Sequence, residues 1–194
     1  MTMKEKDFVE IFSKTGTVLE GHFLLSSGLH SERYLQCALV LQHPEYAAKL
    51  GAALAEKFRG AEATVVVGPA LGGIVIAYEV ARWLGVRALF TERVEGAMVL
   101  RRGFALTKND RALVIEDVVT TGGSTQEVID VLTSSGATIV GVGAVVDRSN
   151  QSAKFSADFQ SLLSMEIPAY SPDACPLCKK KIPFVKPGSR SSKP

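Results

Sequence analysis

The middle of the chain alternates short apolar runs with amphipathic segments of helical length, and no other feature constrains the fold as much. The apolar runs cover residues 64–67, 86–90, 112–115 and 139–146, and the helical segments cover residues 74–84 and 125–134. Strands that alternate with helices in this way indicate a parallel sheet whose two faces are covered by helices. Ligands of such sheets bind beyond the carboxyl ends of the strands. Chemistry is therefore expected just after Val67, Phe90, Ile115 and Val146.

The N-terminal quarter follows a different pattern. Phe8, Ile11 and Phe12 have the spacing of one helix face, which predicts a helix over residues 4–14. Residues 18–41 favour short extended pieces around a turn at residues 26–28, residues 47–58 favour a helix, and residues 97–102 favour part of a hairpin. We predict one α/β domain over residues 1–185, with a small N-terminal hood (about 1–40), a core (about 44–150) and a disordered tail (186–194).

Composition excludes several classes of protein. The 194 residues are 46% hydrophobic and 22% charged, which is typical of a single globular domain. A net charge of +2 is too small to predict binding to nucleic acid or to an acidic membrane surface. No apolar run approaches the roughly 20 residues of a membrane-spanning helix, and the charged N-terminus does not resemble a signal peptide. Three cysteines do not form a disulfide framework, so a reducing cytoplasm is expected.

The segment after the third apolar run carries the strongest chemical signal. Two adjacent acids, Glu116 and Asp117, precede a turn of hydroxyl and glycine residues at 120–124, and a helix follows. Glycine amides, hydroxyls and a helix N-terminus suit a phosphate, and the acids can accept hydrogen bonds from vicinal hydroxyls. The turn by itself could be a strand-to-helix connection with Ser124 as the N-cap, but buried acids need a further reason. Together they predict a site for a ribose 5-phosphate.

Residues 114–124, Val-Ile-Glu-Asp-Val-Val-Thr-Thr-Gly-Gly-Ser, resemble the motif of type I phosphoribosyltransferases that binds phosphoribosyl pyrophosphate (PRPP). The segment has neither the GxxxxGK[ST] nor the GxGxxG pattern of other nucleotide-binding loops. The resemblance implies that the acids hold the ribose hydroxyls, that the turn holds the 5-phosphate, and that Mg²⁺ is the cofactor. The residues implied in PRPP binding are Glu116, Asp117, Val118, Val119, Thr120, Thr121, Gly122, Gly123 and Ser124.

Three further stretches, which extend the likeness to about residues 5–150, resemble the orotate phosphoribosyltransferase family. Residues 21–31, with Tyr34 soon after, are similar to the segment that covers the base, and residues 68–73 are similar to the pyrophosphate loop. Arg148 matches the arginine that pairs with the carboxylate of orotate, as a bidentate guanidinium can. The resemblance implies that Tyr34, Thr120 and Arg148 contact orotate. Tyr34 could instead be a packing aromatic, and Arg148 could form a surface ion pair with Asp147 or another acid.

The chain departs from the family pattern on the pyrophosphate side. Ser26 and Gly72 stand where the family carries lysines, and the mobile-loop region, residues 91–98, has neither lysine nor histidine. The chain resembles a compact subgroup that also ends in a Cys-Pro-Leu-Cys segment. The pyrophosphate-side candidates are Ser26, Ala70, Leu71, Gly72, Gly73, Arg93, Arg101 and Arg102, although the three arginines could also be a solvated basic hairpin.

Cys175 and Cys178 form a CxxC that is similar to half of a zinc knuckle. A closed zinc site needs four ligands, and the others would have to come from Cys37, a histidine or a second subunit. A redox pair, or two cysteines packed in a turn, are the other interpretations, so no metal is assigned. The three histidines, His22, His30 and His43, match no metal-binding spacing and are interpreted as loop or hood residues.

The family resemblance implies an orotate phosphoribosyltransferase of de novo UMP synthesis that works as a homodimer, with one subunit lending its loop to the other. Two alternatives remain open at this point. One is a phosphoribosyltransferase for a purine or another base, in which only the hood and Arg148 would change their roles. The other is a regulator that binds PRPP without chemistry, which the lost lysines and the short loop favour, although no DNA-binding segment accompanies them.

Overall fold

The computed structural model describes residues 3–25 and 27–187. Ser26 and most of the predicted disordered tail therefore lie outside the described residues. The N-terminal part forms three helices and an antiparallel pair of strands, and the pair is called the N-terminal hairpin below. These elements are α1 (Glu5–Lys14), β1 (Val18–Leu24), β2 (His30–Leu35), α2 (Ala38–Leu41) and α3 (Pro44–Lys57).

A six-stranded sheet forms the centre, in the order β5-β4-β3-β6-β7-β8. All neighbouring strands are parallel except β5, which pairs with β4 in an antiparallel hairpin at the edge. The predicted fold, a largely parallel sheet flanked by helices with a small N-terminal addition, is thus confirmed. The elements are β3 (Val65–Pro69), α4 (Gly72–Leu84), β4 (Arg87–Val94), β5 (Ala97–Leu100), β6 (Arg111–Val119), α5 (Gly123–Ser134), β7 (Thr138–Asp147), β8 (Phe159–Ser164) and α6 (Pro176–Lys179).

Helices cover both faces of the sheet because the strand residues alternate in direction. Val66 joins the core beneath α1, α3 and α4, whereas its neighbours Val65 and Val67 join the core beneath α5. All three valines are fully buried, which explains why the central strands read as continuous apolar runs. No helix within the described ranges is both long and apolar enough to cross a membrane.

Three elements differ from the sequence prediction. Residues 38–41, expected to be extended, form α2, which places Val40 and Leu41 in the core. Strand β6 does not end at Ile115 but pairs with β7 as far as Val119, so both acids lie within the strand. Strand β8 was not predicted, because half of its residues are polar and it covers only one edge of the sheet.

A buried carboxylate joins three strands at the amino edge of the sheet, which is opposite the carboxyl ends. Asp110 accepts hydrogen bonds from Arg87 Nη2 at 2.6 Å, from the Thr107 amide at 2.7 Å and from Thr107 Oγ1 at 3.0 Å. Thr64 Oγ1 lies 3.4 Å away at the start of β3. Burial opposes ionisation of Asp110, but the hydrogen bonds from Arg87 and Thr107 outweigh it and lower the pKa of this carboxyl.

We expect Asp110→Asn to lower the free energy of unfolding by about 1–3 kcal/mol at neutral pH, because a buried charge-assisted network loses its acceptor. A carboxyl whose pKa is lowered by folding stabilises the protein above its unfolded pKa, and this contribution disappears as the pH falls through the folded value. Urea unfolding at neutral pH and below about pH 4 should therefore show the difference from wild type shrinking in acid. The exposed carboxylate variant Asp158→Asn is the control. An equal loss at both pH values would contradict this account.

Candidate active site

Residues from the loop after β3 and from β6 meet in close contact at the carboxyl edge of the sheet. A Cβ atom added to Gly72 would lie 2.6 Å from Asp117 Oδ2, and one added to Gly73 would lie 3.1 Å from the Ile115 carbonyl oxygen and 3.3 Å from Glu116 Oε1. The glycine loop (residues 70–73) thus lies directly against Glu116 and Asp117, which are called the acid pair below. A side chain at residue 72 would have to displace the Asp117 carboxylate from the position that it takes here.

The acid pair is held by the backbone around it. Glu116 is buried, Asp117 is half-buried, and Glu116 Oε1 accepts the Asp117 amide at 3.1 Å. Asp117 Oδ1 accepts the Val118 amide at 2.9 Å, and its Oδ2 faces the glycine loop. Cys37 lies near both carboxylates, and burial, followed by these two charges, raises the pKa of its thiol well above the usual value. Cys37 therefore stays a neutral thiol rather than a thiolate nucleophile.

The turn of residues 120–124, called the phosphate turn below, leads from β6 into α5. Gly122, with φ of 79°, is the N-cap residue of α5 and has no side chain to cap the helix, while Thr121 Oγ1 accepts the Gly123 amide at 3.4 Å. The interpretation of Ser124 as the N-cap is therefore wrong, because the helix begins at Gly123 and Ser124 lies inside its first turn. Phe155, from the segment after β7, would lie 3.0 Å from a Cβ on Gly122. Thr120, Thr121 and Gly123 are exposed, so the amide end of α5 is open to a ligand.

Arg148 follows β7 at the same edge, and its amide donates to the Val119 carbonyl at 2.7 Å. Its guanidinium makes no ion pair with any residue that the structure describes. Among the described residues its Nε is also buried without a hydrogen-bond partner. Asp147 instead accepts the Ser149 amide at 2.7 Å, so the suggested ion pair between Arg148 and Asp147 does not form. Burial lowers the pKa of Arg148.

Tyr34 on β2 faces this part of the site from the N-terminal hairpin. Burial raises the pKa of its phenol, the Asp117 carboxylate adds to the rise, and the Arg148 guanidinium partly offsets it. Tyr34 therefore lies within electrostatic range of both residues and remains a neutral aromatic surface. Its ring also contacts Phe23, with a centroid distance of 5.7 Å. The structure thus brings Tyr34, Asp117 and Arg148 together from three separate elements.

The three arginines of the β4–β5 hairpin are all beside carboxylates. Arg93 pairs with Glu127 of α5 at 2.5 Å, Arg102 pairs with Glu92 at 2.9 Å, and Arg101 lies 4.0 Å from Glu92. The hydrogen bond from Arg102 lowers the pKa of Glu92. The hairpin is tight, because Val94 pairs with Ala97 across only two turn residues. A role for any of the three in binding pyrophosphate stays a prediction.

Thr91, in the middle of β4, was not identified from sequence as a separate site residue. Its carbonyl accepts the Ala70 amide at 2.7 Å, which ties β4 to the glycine loop. Its Oγ1 is buried without a hydrogen-bond partner among the described residues. The position just after Phe90, where chemistry was expected, was the only available signal, because threonine is common in strands.

The C-terminal CxxC lies apart from this edge, beside other residues that could bind a metal. Cys175 and Cys178 come together with His22 and His30 of the N-terminal hairpin, and the four ligand atoms lie within 4.8 Å of one another. The two histidines lie on β1 and β2, within the residues interpreted as the hood, and a histidine was one of the sources left open for the remaining ligands of the CxxC. Spacing along the chain could not reveal the group, because its two halves are separated by about 150 residues.

Comparison with known proteins agrees with this architecture. Residues 38–171 match the family model described as phosphoribosyl transferase domain. The chain is 53% identical over 188 residues to the orotate phosphoribosyltransferase of Caldanaerobacter subterraneus, covering 97% of this chain and 99% of that protein. It is 54% identical, with 97% and 99% covered, to the orotate phosphoribosyltransferase of Pelotomaculum thermopropionicum.

A solved structure extends the comparison to three dimensions. The crystal structure of orotate phosphoribosyltransferase from Aeropyrum pernix superposes with a TM-score of 0.63 at 26% identity, covering 81% of this chain and 93% of that chain. The family that the sequence motifs predicted is therefore confirmed. This chain belongs to the phosphoribosyltransferase domain family and, within it, to the orotate phosphoribosyltransferases.

Proposed function

We propose that this enzyme transfers the phosphoribosyl group of PRPP to orotate, releasing pyrophosphate and forming orotidine 5′-monophosphate in the de novo route to UMP. Two parts of the carboxyl edge support the proposal. The acid pair and the phosphate turn offer acceptors for a diol beside donors for a phosphate. Tyr34 and Arg148 offer an aromatic face beside an unpaired cation, which suits a flat base that carries a carboxylate.

The PRPP half of the proposal assigns the ribose to the acid pair and its 5-phosphate to the phosphate turn. The exposed residues Thr120, Thr121 and Gly123 stand at the N-terminus of α5, where the helix dipole favours an anion. The carboxylates of Glu116 and Asp117 lie at the end of the preceding strand, so a ribose bound to them has its phosphate directed toward the turn. Val118 and Val119 connect the two groups.

The choice of orotate depends on one observation, the unpaired guanidinium of Arg148. A buried donor without a partner costs about 1–3 kcal/mol, so such a group is retained where a ligand completes it. A carboxylate satisfies a guanidinium through two parallel hydrogen bonds. Purine bases carry no carboxylate and would leave this arginine unpaired, which disfavours the alternative of a purine substrate. Thr120, exposed at the start of the phosphate turn, is proposed to contact the same base.

Mg²⁺ is the proposed cofactor. Glu116 and Asp117 supply carboxylate oxygens, the ligand type that Mg²⁺ prefers, at the place where the ribose hydroxyls would lie. These residues fit a hydrated Mg²⁺ that is shared with the substrate. When bound, the ion would offset negative charge on the departing pyrophosphate.

Catalysis then requires placement and charge stabilisation rather than a protein nucleophile. A ring nitrogen of orotate attacks the anomeric carbon as the bond to pyrophosphate breaks, through a transition state with oxocarbenium character, and the proton of that nitrogen passes to pyrophosphate or to solvent. Arg148 and Tyr34 would orient the base, and the acid pair would orient the ribose. Such alignment can lower the activation free energy by up to about 7–11 kcal/mol. The Ala70 amide already donates to the Thr91 carbonyl, so the amides that follow it in the glycine loop, from Leu71 to Gly73, are proposed to face the leaving group.

A homodimer is proposed because α4 presents an apolar face to solvent. Leu71, Val75 and Tyr78 follow one another at intervals of four and three residues, which places them on one side of the helix, and they are 72%, 43% and 60% exposed. An exposed apolar stripe of this kind is typical of a protein interface. Because α4 begins at the glycine loop, a second copy bound there would lie beside the pyrophosphate site.

The three free cysteines support a reducing, cytoplasmic location.

We expect Asp117→Asn to lower kcat/KM for PRPP by about 10- to 150-fold, because a charge-assisted hydrogen bond to the ribose contributes about 1.5–3 kcal/mol. The urea midpoint should stay close to wild type, since the amide can still accept the Val118 N–H. Asp158→Asn, an exposed change of the same kind, is the control. Unchanged turnover in Asp117→Asn would remove the acid pair from the mechanism.

The base is tested by following the loss of orotate absorbance with purified protein, Mg²⁺ and PRPP. We expect a loss that requires PRPP, and at least a 30-fold lower kcat/KM for orotate in Arg148→Gln, because a desolvated charge pair loses about 2–5 kcal/mol when one partner is removed. PRPP binding measured by calorimetry should persist. Arg33→Gln on the exposed side of β2 should behave as wild type. PRPP binding without turnover on orotate would favour another base or a regulator.

Sedimentation velocity tests the dimer. We expect wild type to sediment as a dimer and Tyr78→Lys to shift toward the monomer, because a charge would be buried without a partner in the interface. Lys57→Ala, an exposed change on α3, should leave the sedimentation coefficient unchanged. A monomeric wild type at micromolar concentration would contradict the proposed assembly.

A further inference from the structure

We propose that His22, His30, Cys175 and Cys178 form a structural Zn²⁺ site that joins the N-terminal hairpin to the C-terminal segment. His22 lies on β1, His30 begins β2, and the two cysteines flank the start of α6. Two imidazoles and two thiols are a ligand set that Zn²⁺ takes in closed, four-coordinate structural sites. The group lies outside the proposed active site and uses none of its residues.

Three sulfur-to-nitrogen distances in the cluster are close to those of a zinc tetrahedron, and all four ligand atoms lie within 4.8 Å of one another. Bond lengths of about 2.0–2.1 Å to nitrogen and 2.3 Å to sulfur place neighbouring ligand atoms about 3.3–3.8 Å apart. Cys175 Sγ lies 3.5 Å and Cys178 Sγ 3.8 Å from His22 Nε2, and Cys178 Sγ lies 3.2 Å from His30 Nδ1. The two imidazole nitrogens, at 2.7 Å, would separate by roughly 0.6 Å to admit the ion.

The hydrogen bonds around His22 orient it as a ligand. Its Nδ1 lies 2.7 Å from the Ile182 carbonyl oxygen, which can only accept, so Nδ1 carries the proton and donates. The lone pair of the neutral ring is then on Nε2, the atom that faces His30 and both sulfurs. A backbone carbonyl that holds the other imidazole N–H is a common second partner of zinc-binding histidines.

The surroundings favour a metal over a redox pair. Cys175 is fully buried, and His22 and His30 are each only 4% exposed, whereas a redox thiol needs access for its partner. Two thiolates, two neutral imidazoles and one Zn²⁺ together carry no net charge, so the group can be buried without burying a net charge. Binding releases the two thiol protons to solvent. The turn after Cys178 is closed by hydrogen bonds from the Lys181 amide to the Cys178 carbonyl and from the Ile182 amide to the Leu177 carbonyl.

The site would lie where two distant parts of the chain already pair. His30 exchanges two backbone hydrogen bonds with Tyr170, each 2.8 Å long, and Val185 donates to the His22 carbonyl at 2.9 Å. The ion would therefore close a loop of about 150 residues between β1 and the C-terminal segment. Since Tyr34 lies on the same hairpin, the ion would also stiffen the surface that covers the proposed base site.

The experiment measures zinc in the full-length protein, purified under reducing conditions and dialysed against metal-free buffer. We expect one Zn²⁺ per chain by elemental mass spectrometry, and near-complete loss in Cys178→Ser and His30→Ala. The chain offers matched controls, because its third cysteine and third histidine lie outside the cluster. Cys37→Ala and His43→Ala should keep the metal.

A second measurement covers the case in which a ligand variant does not fold. Wild type stripped of metal and reconstituted with Co²⁺ should show the intense visible bands of a tetrahedral ion and a thiolate charge-transfer band in the near ultraviolet. Retention of zinc in Cys178→Ser equal to that in Cys37→Ala would overturn the proposal. So would a wild type that takes up no Zn²⁺ or Co²⁺ with both thiols free, or one whose mass shows a Cys175–Cys178 disulfide.

Discussion

The close approach of the glycine loop to the acid pair is the constraint on which the rest of the site depends. Strands β3 and β6 are neighbours in the sheet, with Val67 opposite Val114, so the loop after β3 must pass over the end of β6. The absence of a side chain at Gly72 is what allows the loop to lie against Asp117. Helix α4 begins at Gly72 and packs on the sheet with Ile76 and Val80 fully buried. The geometry of the site is thus set by the packing of the core.

The carboxyl edge has two regions that differ in whether their arginines are paired with carboxylates. The base region contains a guanidinium that no described residue neutralises, beside a phenol whose pKa is raised. The hairpin region contains arginines that are already paired with Glu92 and Glu127. Exposed ion pairs contribute little to stability, about 0–1 kcal/mol, so an arginine there can exchange its carboxylate for a phosphate at small cost. Arg148 has no ion pair with a described residue, so it gives up no carboxylate when it binds a ligand.

The N-terminal hairpin is separate from the central sheet and depends on long-range contacts for its position. Its two strands pair with residues near 170 and 185, and the proposed zinc site lies between these same segments. Two of the three cysteines and two of the three histidines meet here, while Cys37 is in the main core. A small substructure with few core residues is commonly stabilised by a metal, which agrees with the position of the cluster.

Local patterns were sufficient for most of the central elements and for the contiguous part of the site. The apolar runs, the helical segments and the segment at 112–124 are each contiguous in sequence, so each can be interpreted without knowing what packs against it. Strand β8, the extension of β6 and the role of Gly122 as N-cap were missed, because pairing with β7 and packing of Phe155 decide them.

The sequence by itself determined the fold class, the family and the contiguous phosphate and acid motif, because their residues are neighbours along the chain. Only the tertiary structure decided which distant side chains meet. It placed Tyr34 within electrostatic range of Arg148, paired Asp147 with the Ser149 amide rather than with Arg148, and brought His22 and His30 to a CxxC about 150 residues away. Such meetings depend on strand order and long-range pairing, which leave no regular spacing in the sequence.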